Sequence, residues 1–133
     1  MKNREFVRLA VTFTVFTVAC GAVWAASPFF TGKSEPWDDD SAYYIVALAA
    51  AGFIAGLLSP RPSAVMYVGA LLGQLGYMVL FQRVGPLIVL GVLFLLGYSL
   101  LPVFAGIAGT AARMLVVGGE DRARVLRVLR GEW

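Results

Sequence analysis

Four apolar runs, at residues 6–26, 42–58, 64–81 and 87–112, decide what solvent this chain can fold in. Arg8, close to the start of the first run, is the one charged residue inside any of them. At a rise of 1.5 Å per residue, each run is about as long as a hydrocarbon core of roughly 30 Å is thick. A water-soluble domain carries charge on about a quarter of its residues; here 14% are charged and 59% are hydrophobic, with mean hydropathy +0.79. Inside a bilayer the backbone must satisfy its own hydrogen bonds, and without alternating barrel strands that requirement selects helices. The expected fold is therefore an all-α membrane protein.

The connections between runs set the expected arrangement. Ser59-Pro60-Arg61-Pro62-Ser63 and Gln82-Arg83-Val84-Gly85-Pro86 are tight turns, and short connections favour antiparallel neighbours. The sequence thus predicts four antiparallel transmembrane helices in an up-down-up-down bundle over residues 1–117. Residues 118–133 form a separate basic amphipathic tail. Nine of the eleven Lys and Arg residues fall on one side if both termini are cytoplasmic, leaving only Lys33 and Arg83 outside. By the positive-inside rule this orients the bundle, and the absence of an organelle transit signature points to a bacterial inner membrane.

Between helices in lipid the hydrophobic force is weak, so small residues that let backbones approach drive association. Gly52 and Gly56 on the second run, Gly69, Gly73 and Gly76 on the third, and Gly106 on the fourth have helical spacing and are the expected packing positions. The hairpin of residues 42–81 carries most of them and is expected to organise the bundle. On the first run Ala10, Thr14, Thr17, Gly21 and Ala25 form a small, weakly polar face suited to packing. That run is longer than a cleaved signal segment, so it is expected to be retained. Thr17-Val18-Ala19-Cys20 is too poor a lipobox to predict lipidation.

Residues 27–41 make the longest polar stretch. Pro28, Gly32 and Pro36 are expected to break helix there. Trp24, Phe29, Phe30, Trp37, Tyr43 and Tyr44 read as an interfacial aromatic belt. Asp39, Asp40 or Ser41 can cap the following helix; the rival reading of Glu35, Asp38, Asp39 and Asp40 as a divalent-cation site lacks the alternating spacing of a calcium loop. Pro102 is expected to kink the fourth helix, with Ser99 near enough to help the freed carbonyl. In the tail, Arg122, Arg124, Arg127 and Arg130 alternate with Val and Leu, a pattern for a short amphipathic helix on an anionic leaflet.

Chemistry is thin. The sequence has no histidine, and Cys20 is its only cysteine, which removes the usual haem and zinc ligands, the usual neutral general base and any intramolecular disulfide. No phosphate-cradling glycine fingerprint occurs, so no cofactor, metal or nucleic acid is expected and an enzyme is not. Gln74 is the one amide deep in an apolar run, placed either beside a pore or in an interhelical bond. The expected function is that of a non-enzymatic accessory or assembly subunit, associating with its own copies or another membrane protein through helix contacts. The alternative is a homo-oligomeric channel or facilitator for a small neutral solute.

Overall fold

The computed structural model describes residues 2–58, 63–83 and 85–116, with 123, 126, 127 and 130 of the tail. Among them every regular element is helical: α1 (Lys2–Thr31), a short 3₁₀ turn (Pro36–Asp38), α2 (Tyr43–Leu58), α3 (Ser63–Phe81), α4 (Ile88–Tyr98) and α5 (Leu100–Val116). Three stretches are long and apolar enough to cross a membrane: Lys2–Thr31, Ala64–Phe81 and the nearly continuous Ile88–Val116. The 16-residue α2 is equally apolar and shorter, rising about 24 Å.

Several boundaries differ from the sequence reading. The first helix occupies Lys2–Thr31 rather than 6–26 and carries Pro28 within it. Helix ends instead at Gly32, whose φ of 73° is left-handed and whose N–H donates to the Pro28 carbonyl at 3.1 Å. Glycine takes that conformation without a Cβ penalty. The fourth run splits into α4 and α5 at Ser99, three residues before Pro102, and continues to Val116. Proline removes one ladder bond and crowds the preceding turn, so the break lies on its N-terminal side.

The glycine stripes do not zip α2 to α3. These two helices are adjacent in sequence but hardly touch; α2 packs along α5, and α3 packs along α1. A Cβ built on Gly52 would stand 2.7 Å from the Pro102 carbonyl carbon, and one on Gly56 would stand 2.7 Å from the Gly106 Cα. On the other pair, a Cβ on Gly69 would meet the Phe13 carbonyl oxygen at 2.9 Å, and one on Gly73 the Thr17 carbonyl carbon at 2.9 Å. Residue numbers rise together across both contacts, so each close pair runs in the same direction. The carbonyl of one helix enters the groove left by the missing side chain of the other, where Cα–H groups can meet it.

Not every expected packing position participates. Gly76 faces open space, with nothing within 4 Å of an added Cβ. Gly109 belongs in its place, packed on the Phe53 carbonyl of α2 with its virtual Cβ 3.0 Å from the carbonyl carbon. On α1 the small face is only half used. Thr17 and Gly21 meet Gly73, while Ala10, Thr14 and Ala25 are exposed. The buried stripe is the neighbouring one, Thr12, Phe16, Cys20, Trp24 and Ser27.

At one end of the α2–α5 pair, Arg113 donates to the Leu57 carbonyl at 2.7 Å and to the Leu58 carbonyl at 3.3 Å. The last carbonyls of a helix have no partner within it, and a guanidinium there also answers the negative end of the dipole. Arg113→Ala should cost about 1–2 kcal/mol, measured as a shift in denaturant or thermal unfolding of the purified protein. Arg113→Lys should recover part of that loss, since one ammonium can reach only part of the same carbonyl pair.

Candidate functional site

The polar centre of the molecule is assembled from all four helical stretches. Gln74 of α3 is fully buried, together with Trp24 of α1, Ser99 at the α4–α5 break and, almost fully, Tyr44 of α2. The Gln74 Oε1 accepts from the Tyr44 hydroxyl and, at 3.5 Å, from the Trp24 indole N–H. Its Nε2 donates to the Ser99 Oγ at 3.0 Å and to the Ala70 carbonyl at 3.3 Å. A primary amide has two donor hydrogens and two acceptor positions. Here all four are engaged inside the protein.

Ser99 therefore serves Gln74 as well as marking the helix break. The nearby Leu96 carbonyl accepts from the Tyr67 hydroxyl at 2.9 Å, so α3 holds the last turn of α4 as well as the break. Trp24 and Tyr44 were expected in an interfacial belt and lie in the core instead. Their polar atoms have Gln74 as a partner, so burial leaves them no unpaired donor. Position in the sequence alone does not separate a belt tryptophan from a core one, because both flank apolar runs.

An aromatic cluster continues outward from this centre. Trp24 meets Trp37 edge-to-face at 4.7 Å between centroids, Tyr44 lies 4.7 Å from Tyr98, and Trp37 lies 6.4 Å from Phe94. Phe29 and Phe30, by contrast, are exposed. No family model, curated protein or solved structure matches the chain. The site must be argued from its own atoms.

In the loop, Ser41 is the cap. Its Oγ accepts from the Tyr43 N–H at 3.2 Å, and Asp39 braces it by accepting from the Ser41 N–H at 3.1 Å and from its hydroxyl. Glu35 accepts from the Trp37 indole N–H at 2.9 Å. Among the described residues no three His, Cys, Asp or Glu converge as a metal site requires. Cys20 is fully buried between helices. In the tail, Arg122 and Arg124 lie outside the described residues; Arg127 is helical and exposed, and Arg130 is exposed, its N–H donating to the Leu126 carbonyl at 3.1 Å.

Proposed function

We propose that this is a four-span bacterial inner-membrane protein with both termini cytoplasmic, acting as a non-enzymatic accessory or assembly subunit through helix–helix contacts. The observation that carries this reading is the closed hydrogen bonding of Gln74. A solute path needs polar groups with bonding capacity to spare, and this amide has none. Same-direction register in α1–α3 and in α2–α5 supports four alternating crossings, because short turns reverse the chain between successive helices. Outward from the bundle α3 and α4 present Val68, Leu72, Val89 and Leu93, apolar side chains suited to lipid or to another helix.

The test combines topology with capture. An enzyme reporter that matures only outside the cytoplasm should be active when fused near Lys33 and inactive after Trp133. Photo-reactive residues at Val68, Leu72, Val89 and Leu93 in intact membranes should give discrete adducts at a subset of positions, containing a second membrane polypeptide or a second copy. A reversed reporter pattern refutes the orientation. Lipid adducts alone at all four positions refute the assembly role.

A further inference from the structure

At the Trp37 end of the bundle a recess of about 370 Å³ lies between α4 and the loop. Its walls are the rings of Trp37, Phe94 and Tyr98 and the apolar side chain of Leu90; Glu35 and Asp38 stand at its edge. That volume falls in the range of small-molecule sites, in which an apolar lining is combined with a few placed polar groups. Gly91 is part of the lining. A Cβ there would already be in ordinary contact with the Trp37 ring and the Met78 sulfur, each at 3.6 Å, so a side chain larger than alanine would have to take up space beside Trp37.

The chemistry of the walls selects the occupant. Aromatic faces attract cations through their quadrupole when the charge lies within about 6 Å of the ring centre. Carboxylates add a net negative field, and among the described residues neither Glu35 nor Asp38 is in an ion pair. Among the described residues the Glu35 carboxylate accepts from the Trp37 indole alone, which holds the carboxylate beside that ring. Two cations stand nearby and offset part of this field: Lys33 Nζ donates to the backbone carbonyl of Asp38 at 2.7 Å, and Arg83 lines an adjoining recess of about 290 Å³ that shares Glu35 and Trp37 with this one. Asp39 and Asp40, next in the chain, add to the negative sign.

We propose that this recess binds an amphiphilic organic cation, an onium head held by Glu35, Asp38 and the Trp37 ring, with a small apolar body against Leu90 and Phe94. A metal ion does not suit these walls, since hard cations need a shell of oxygens and soft ones need nitrogen or sulfur. A quaternary ammonium gives up little hydration and matches a site that combines rings with carboxylates. The site is independent of the assembly role above, and either can fail without the other.

The experiment titrates benzyltrimethylammonium into the full chain in an uncharged detergent, by calorimetry against a micelle blank. Neopentylbenzene, the uncharged isostere with carbon in place of nitrogen, is the paired probe. Saturable binding of the cation is expected, with affinity falling about tenfold or more in the double variant Glu35→Gln, Asp38→Asn. Trp37→Leu should weaken it severalfold, and Gly91→Leu should block it while leaving both carboxylates in place. Thermal unfolding of each variant separates lost binding from lost fold; the Glu35→Gln, Asp38→Asn protein, altered only in the loop, should melt as wild type does. No saturable binding to wild type, equal binding of neopentylbenzene, or unchanged affinity in the double carboxylate variant overturns the proposal.

Discussion

Gly52→Leu and Gly73→Leu should each destabilise the bundle by about 3 kcal/mol or more, at or beyond the upper end of ordinary overpacking. The reason is the identity of the neighbour. A Cβ at Gly52 falls on the backbone of Pro102, and one at Gly73 falls on the backbone of Thr17. A flexible side chain could swing aside, but a helix backbone can yield only by moving the whole helix. Separating α2 from α5, or α1 from α3, forfeits dispersion along the entire contact. Even alanine should be felt at Gly52. Two controls fix the interpretation. Gly76→Leu enters open space, and Val89→Leu changes a residue that is 69% exposed, so both should stay within about 0.5 kcal/mol of wild type. Detergent-solubilised variants, unfolded by heat or by titration with a denaturing detergent, give the comparison. Equal tolerance at Gly52, Gly73 and Gly76 would refute the pairing of α2 with α5 and of α1 with α3.

Gln74→Leu should be the most disruptive change outside the glycine contacts, costing about 2 kcal/mol. It leaves the Tyr44 hydroxyl, the Trp24 indole N–H and the Ser99 hydroxyl facing an apolar side chain in a buried site. An unsatisfied buried polar group costs about 1–3 kcal/mol, although interhelical bonds in membranes often measure below 1 kcal/mol because the unfolded chain also finds partners. Three orphaned groups place the expected loss above that single-bond figure. Tyr44→Phe alone should cost about 1 kcal/mol, and in the Gln74→Leu background it should cost less, since its partner is already gone. The double-mutant cycle measures that difference. If the two losses simply add, Gln74 and Tyr44 are not coupled and the network is not what closes the centre.

The aromatic and glycine residues show where reading the chain succeeds and where it stops. The class of solvent and the helical backbone were legible because they depend on local composition: about twenty residues without charge must be helical in lipid whatever their neighbours are. Ser41 as a cap was legible too, since capping is a contact between residues two apart. Gly32 was among the expected breakers, but so was Pro28, and the first helix runs through Pro28 to Thr31, beyond the apolar run that ends at residue 26.

Helix pairing lay beyond local reading. Gly69, Gly73 and Gly76 all follow helical spacing in the sequence, yet the first two face α1 and the third faces open space. Spacing says that a stripe exists; only the rotation of the helix in the assembled bundle says what faces it. The same holds for Gln74. Its presence in an apolar run was evident, and so was its need for partners, but the four groups that satisfy it are up to 50 residues away along the chain or in its own preceding turn. The sequence by itself determined a helical membrane protein with small-residue contact surfaces and one buried amide. Tertiary structure decided that α1 meets α3, that α2 meets α5, and that Trp24 and Tyr44 are core residues. The physical reason is that lipid imposes helix on each segment separately, whereas close packing and hydrogen-bond satisfaction are properties of the segments together.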